Sequence, residues 1–377
     1  MGKILKKILR FSTLLKVLTI ICLSGLLLAY LTPFVHPNTF KILPFFGLAY
    51  PVILFCTLLL LLIWSLAKSK WALITLAVLL IGGKLHFRIF AIGSDETELP
   101  SEDRILNIMS YNVRLFDLYT SDEADRFTKR NAIFQYIQDK TPDIICFQEF
   151  YHQDKPTKFS TRDTLISLLE IKDYHERYAH KLRGRQNFGV TILSKYELIA
   201  KGDVMFSTQG ENDFNYCIYV DIVKNIDTFR VYNVHLQSIR LEQEDYSDFQ
   251  DETGEKEEKS TIRLMIDKLR IAYPKRADQA RTVMEHVLTS PYPTIVCGDF
   301  NDTPMSYAYN QFNKTLTDAF RNCSSGIGST YVGKVPAGRI DYIFHTGNLK
   351  STHFEVQKEA FSDHRAISCK IYKDTIE

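Results

Sequence analysis

The sequence predicts an α+β sandwich carried on membrane helices: two largely antiparallel or mixed β-sheets packed face to face under helical covers, preceded by two to three apolar spans. Three observations lead there. Long apolar runs are confined to residues 1–92. From about Asp103 onward, short strand-like runs alternate with a few helical patterns and no fixed repeat. Polar residues able to hold a phosphate or a cation then recur at strand ends or just after them, where a rigid sandwich presents a site along one rim.

The N-terminal run comes first. Lys3, Lys6, Lys7 and Arg10 precede an apolar stretch from Phe11 to Leu31 interrupted only by Lys16. That length reaches the roughly 20 residues a bilayer span needs, and no small-residue cleavage pattern precedes Pro33, which favours a membrane helix over a signal peptide. Ile42 to Ala67 is a longer stretch without a charge. Trp71–Gly83 is short, and reaches Ile92 only if Lys84, His86 and Arg88 snorkel at its end. Helices are therefore expected at about 11–31, 42–67 and 71–92, with 1–92 as a membrane anchor. The basic N-terminus and the Lys68/Lys70 turn belong on the cytoplasmic face, and the loop 32–41 outside. Three spans would put the rest of the chain outside the cytoplasmic membrane, and two would put it inside. The sequence is read as an integral protein of the cytoplasmic membrane with its second domain extracytoplasmic.

Residues 93–102 are polar and acidic and read as a linker. The second domain covers 103–377. Strands are expected at 105–113, 143–147, 188–193, 198–206, 216–223, 228–234, 294–297, 339–345, 353–357 and 366–372. Helices are expected at 124–139, 162–170 and 261–288, the last broken near Pro274. Residues 242–259 carry nine acidic side chains and read as a solvated loop.

Charge and cysteine content narrow the function. Residues 1–100 hold ten Lys/Arg against three acids, a net of +7; the remainder holds 36 against 41, a net of −5. A dedicated nucleic-acid domain is normally basic, so this balance counts against one. The seven cysteines show no zinc spacing, and Cys146, Cys297 and Cys369 fall in strand-like runs as buried thiols.

Six pieces can carry chemistry. Asn112 ends the first strand of the second domain, where an Asn caps a turn or offers its amide to a cation or phosphate. Glu149 follows an apolar strand, a costly place for a carboxylate unless paired or metal-bound. In Arg230–Gln237, alternation puts Asn233 and His235 on one face, away from Tyr232, Val234 and Leu236. Ile295–Pro304 contains Gly-Asp-Phe-Asn; if strand geometry continues, Asp299 and Asn301 point to the same side. Asp341 begins a strand. Asp363 and His364 sit together before the last strand, and Asp341 could orient that histidine. Lys181, Arg183 and Arg185 form a candidate anion-binding edge or merely a solvated one.

The ordered set resembles the endonuclease/exonuclease/phosphatase superfamily over residues 105–373. Gly-Asp-Phe-Asn at 298–301 and Ser-Asp-His at 362–364 are the most specific marks, with Asn187–Ser194 similar to the central strand. The resemblance implies a four-layer α/β/β/α sandwich (DNase I-like). It implies Glu149 as principal Mg²⁺ ligand (Mn²⁺ in its place), with Asn112 beside it and Asp363 adding a contact. Asp299 would position and deprotonate a water. Asn301 and His235 would hold phosphate oxygens, and His364, oriented by Asp341, would stabilise developing charge. Where His235 stands, members that cut abasic DNA usually have Tyr. The expected function is thus a membrane-anchored, Mg²⁺-dependent phosphoesterase, with a lipid head group as an attractive substrate. The alternatives are a membrane-tethered nuclease and a non-catalytic binding module retaining the fold.

Overall fold

Strand-forming runs rich in β-branched and aromatic residues build the second domain. The computed structural model describes residues 2–95, 99–118, 123–206, 215–239, 254–333 and 338–373, without the side chains of 2–11, 123–125, 179–180 and 254–261. Its strands are β1 (Ala91–Ile92), β2 (Leu106–Asn112), β3 (Ile144–Gln153), β4 (Asp173–Leu182), β5 (Gln186–Ser194), β6 (Leu198–Val204), β7 (Tyr216–Lys224) and β8 (Asp227–His235), followed by β9 (Thr294–Asp299), β10 (Thr317–Asp318), β11 (Ser325–Gly326), β12 (Asp341–His345), β13 (Leu349–Val356) and β14 (Ile367–Lys373). The helices are α1 (Gly2–Leu31), α2 (Leu43–Leu66), α3 (Lys70–Ile81), α4 (Gly83–Ile89), α5 (Glu123–Lys140), α6 (Thr161–Leu169), α7 (Gly254–Val287), α8 (Tyr307–Asn313) and α9 (Ala319–Cys323).

Two six-stranded sheets form the sandwich. One runs β13-β14-β2-β3-β5-β4, the other β10-β12-β9-β8-β7-β6. Each is antiparallel except at one central pair, β2 with β3 and β8 with β9. Alternation sorts the side chains into layers. Ile108, Cys146 and Ile192 of the first sheet meet Ile218, Val231 and Cys297 of the second in the central core. The outer face of the first sheet packs on α5 and α6 through Met109, Phe147, Ile133, Ile137 and Leu165. The outer face of the second packs on α7 and α8 through Tyr232, Val234, Val296, Ala280, Met284 and Phe312. This is the four-layer α/β/β/α order expected. Five cysteines, Cys146, Cys217, Cys297, Cys323 and Cys369, are buried as free thiols.

Several expectations are corrected. Residues 173–182 form an edge strand, β4; their polar composition hides it, and pairing with β5 along its length supplies what hydrophobic alternation does not. Pro274 does not break the helix at 261–288, because α7 runs unbroken from Gly254 to Val287. One lost backbone hydrogen bond is outweighed by the packing of Tyr273, Ala277, Ala280 and Val283 on either side. The acidic insertion lies partly outside the described residues, but from Gly254 it is already helix rather than loop.

The N-terminal helices follow the apolar pattern. Ser12–Leu31 and Leu43–Leu66 are long and apolar enough to cross a membrane. The third expected helix, 71–92, is not straight: α3 and α4 meet at an angle of 68°. Gly82 marks the break, and a Cβ there would lie 2.2 Å from the ring of Tyr30. Outward side chains of α2, including Val52, Phe55, Leu62 and Leu66, are exposed and apolar, as a lipid-facing surface requires.

Gly298 is a point of very close strand approach. Its φ is +144°, and a Cβ would lie 1.9 Å from the carbonyl oxygen of Val234 on the neighbouring strand. Gly298→Ala should therefore destabilise the chain by about 2–4 kcal/mol through forced separation of β8 and β9. Thermal unfolding of the purified full chain would show this as a Tm lowered by several degrees, and an unchanged Tm would contradict the close approach.

Candidate active site

The central strands deliver their ends to one rim. Asp299 is the last residue of β9, where register places it beside His235 of β8 and Asp341 of β12. Three adjacent strands therefore present a histidine and two carboxylates side by side. β2 of the other sheet brings Asn112 across the sandwich, its Nδ2 donating to Asp299 Oδ2 at 2.9 Å. The sheets are also tied beneath the site, where Gln148 Nε2 donates to Asn233 Oδ1 at 2.6 Å.

Asp299 is the hub. Its side chain is 1% exposed. Oδ1 accepts from the backbone N–H of Asn301 at 2.8 Å, and Oδ2 accepts from Asn301 Nδ2 at 3.2 Å. His364 Nε2 lies 3.6 Å and His235 Nε2 3.7 Å from the same Oδ2. Burial pushes the carboxyl above its ordinary range, opposed chiefly by His364. Asn301 departs from expectation. The strand ends at Asp299, and Asn301 takes a φ of +54°, so the pair folds back on itself in a turn instead of projecting along a strand. Asn301 Nδ2 also donates to the carbonyl of Leu236 at 3.1 Å.

His364 is the second centre. Nδ1 lies 3.0 and 3.1 Å from the two carboxylate oxygens of Asp341. Burial disfavours the imidazolium, but Asp341 and then Asp299 outweigh it and raise the histidine to about 10. The backbone N–H of Asp341 is fixed by Thr330 Oγ1 at 3.2 Å. Tyr331 stacks edge-on against His364 with centroids 5.1 Å apart. Sequence reasoning missed Tyr331 and Thr330, which sit in a loop without periodicity or a charged neighbour to mark them. Asp299, Asp341 and His364 have ligand atoms within 4.8 Å of one another.

The residues expected to hold a metal lie around this group. Glu149 does not follow its strand: β3 continues to Gln153, and Glu149 occupies a bulge within it, with φ of +49°. The bulge turns the carboxylate towards the rim, 28% exposed, with Oε1 3.9 Å from His235 Nε2. Asn112 uses both ends of its amide within the protein, because Oδ1 accepts from the N–H of Arg114 at 3.0 Å. Asp363 Oδ2 lies 3.6 Å from Arg114 Nε, and Oδ1 accepts from Ser362 Oγ at 3.2 Å. Arg114 is a third residue that sequence reasoning missed. At the expected anion-binding edge Lys181, Arg183 and Arg185 are exposed, and two of the three are engaged. Lys181 pairs with Asp154 at 3.2 Å, and Arg185 donates to the carbonyls of Asp154 and Pro156.

The His364–Asp341 pair sets a pH dependence. The folded value of about 10 lies above the ordinary 6.5, so the pair's contribution to stability is complete below about pH 6.5 and lost as pH rises through about 10. Asp341→Asn should bring the His364 titration down and remove that alkaline loss. NMR titration of the imidazole in EDTA checks it; an unmoved midpoint would refute the pairing.

Known proteins agree with this architecture. No curated protein matches the sequence. A structure of a family member from Bacteroides thetaiotaomicron is similar, with TM-score 0.53 and 18% identity over 72% of this chain and 98% of that one. A family protein from Leptotrichia buccalis C-1013-b gives TM-score 0.50 and 20% identity over 71% and 99%. D. rerio TDP2 complexed with a single-strand DNA product gives 0.49 and 17% over 71% and 99%. Residues 11–89 match the model of a domain of unknown function. Residues 109–364, from β2 to the histidine of the Ser-Asp-His motif, match the model of the Endonuclease/Exonuclease/phosphatase family, and the chain belongs to that family.

Proposed function

We propose that this chain is a membrane-held, divalent-metal-dependent phosphoesterase that uses water as nucleophile. Family members generally hydrolyse phosphoester bonds, and the reading rests on one observation: a buried Asp299 flanked by two histidines and two amides. Burial raises the carboxyl, which moves a weak base towards usefulness near neutral pH. Asn112 and Asn301 fix its oxygens, so a water beside it would meet an oriented acceptor. His364 is held as an imidazolium by Asp341 and supplies positive charge where a phosphoryl group gains negative charge. His235 would hold a non-bridging oxygen; Asn301 Nδ2, which donates to Asp299 and to the carbonyl of Leu236, would join it only by giving up one of those bonds. No Ser or Cys nucleophile is needed.

Hard oxygen donors at the rim fit Mg²⁺ or Mn²⁺. Glu149 would be the principal ligand. Asn112 and Asp363 are bonded to Arg114 and Ser362, and would join it only by giving up those partners. The metal would act as a Lewis acid that neutralises phosphate charge.

The substrate we favour is a phosphoester at the membrane surface, such as a lipid head group. Met305 belongs to the same buried cluster as Leu26, Ala29, Tyr30 and Tyr50 of the first two helices. It lies four positions after Asn301, a reach of at most about 14 Å. We also propose an extracytoplasmic domain. The carbonyl of Pro33, in the loop between α1 and α2, accepts from Asn310 of the second domain at 2.7 Å. That loop is at the opposite ends of α1 and α2 from the basic N-terminus and the Lys68/Lys70 turn, which favour the cytoplasm. The net charge of −5 over 101–377 speaks against DNA as substrate.

Purified full chain should turn over bis(p-nitrophenyl) phosphate with Mg²⁺ or Mn²⁺ and lose activity in EDTA; activity indifferent to EDTA would sink the metal mechanism. Asp299→Ala should lower kcat by roughly 10²–10⁴-fold without unfolding the chain. A panel of phospholipid vesicles, inositol phosphates and DNA tests the substrate, with DNA preferred as the refuting result. A reporter fused after residue 100 reads the side of the membrane, and a cytoplasmic signal would overturn the topology.

A further inference from the structure

Both loops that carry the reactive carboxylates end on the N-terminal helices. Downstream of Asp299 and Asn301, Met305 is fully buried among Leu26, Ala29, Tyr30, Tyr50 and Leu79. The backbone of α2 approaches so closely at Gly47 that a Cβ there would lie 2.9 Å from the Met305 carbonyl oxygen. Upstream of Asp341, Arg339 Nη1 pairs with buried Asp318 at 2.7 Å, while its Nη2 donates to the backbone carbonyl of Arg88 at 2.9 Å. Tyr342 Oη joins the two loops: it lies 2.8 Å from the carbonyl oxygen of Asp302 and 2.7 Å from that of Arg339, with its single proton shared between them.

A short polar chain completes the junction. Arg88 is buried at the end of α4, and its Nη2 donates to Asn310 Oδ1 at 2.8 Å. Asn310 Nδ2 in turn donates to the carbonyl of Pro33 at 2.7 Å. One side chain of α8 thus grips both the loop after α1 and the helix before the linker. The guanidinium also lies 5.7 Å over the ring of Tyr309, whose hydroxyl donates to Asp318 at 2.7 Å. Burying a guanidinium at the edge of a membrane segment is costly unless it does something specific. A flexible tether needs none of these contacts.

We propose that residues 11–89 are a structural component of the catalytic centre, with Arg88 and Asn310 as positioning residues that set the loops of Asp299 and Asp341. Tethering to a membrane is then only part of what this segment does. The proposal rests on the reading of those two carboxylates as the reactive centre. Small displacements of such loops cost turnover without abolishing binding, because alignment of the attacking group is lost first.

The test uses the full chain in nanodiscs with bis(p-nitrophenyl) phosphate, a soluble substrate indifferent to membrane attachment. Arg88→Ala and Asn310→Ala should each lower kcat roughly tenfold with KM within about twofold, and Arg88→Lys should restore part of the loss. An unchanged kcat in both alanine variants overturns the proposal. A second measurement needs no catalysis and covers variants that fail to fold. With a protease site inserted after Glu98, the two halves should stay together on cleavage and co-elute in mild detergent; separation overturns the proposal. If the parent chain shows no turnover at all, the phosphoesterase reading has failed and the positioning role falls with it, while co-elution still decides whether residues 11–89 are a structural part of the folded unit.

Discussion

A buried carboxylate between two β-sheets is the constraint on which the site depends. Asp299 is almost wholly buried, so most of its lone pairs must be met from within the protein. Asn301 folds back to meet two of them, and Asn112 crosses from the other sheet to meet a third. His235 and His364 stand just beyond hydrogen-bond range of Oδ2. The gaps matter as much as the bonds. A carboxylate locked to both histidines would have nothing left to offer a water, whereas this one is oriented but not saturated.

The carboxylate also explains why the two sheets must keep their relative position. Asn112 and Asp299 belong to different sheets, and a shift of either would leave a buried acceptor short. The Gln148–Asn233 bond, one layer deeper, holds the same registration. Gly298 lets β8 and β9 approach closely enough for His235 and Asp299 to be neighbours. Polar ties and close backbone packing therefore act together, the first choosing the register and the second setting the distance.

Much of this was legible in the sequence. The apolar runs marked α1 and α2, and alternation of small apolar strands with turn residues marked most of both sheets. The carboxylates, histidines and amides brought together at the rim were each visible as a polar group at or near a strand terminus, whereas Arg114, Thr330 and Tyr331 carried no such mark. What stayed hidden has physical reasons. Glu149 reads as the residue after a strand because a bulge leaves no trace in hydrophobic alternation. Asn301 reads as a strand continuation because its left-handed turn is a choice of φ that Asn tolerates without requiring it. β4 lacks the pattern of a half-buried strand and is recruited by its neighbour. Arg88 looks like a snorkelling flank, and only the fold turns it inward onto Asn310.

The five buried thiols carry a further consequence. Burial pushes Cys146, Cys217 and Cys369 upward, so they persist as unreactive thiols while the fold is intact. In an oxidising compartment their protection is the packing itself. Loss of the fold would expose all five at once to oxidation and mispairing, and refolding would then compete with irreversible chemistry. The working lifetime of such a chain is governed by how rarely it opens, a rate rather than an equilibrium, and the same dense core that aligns the rim of polar residues sets that rate.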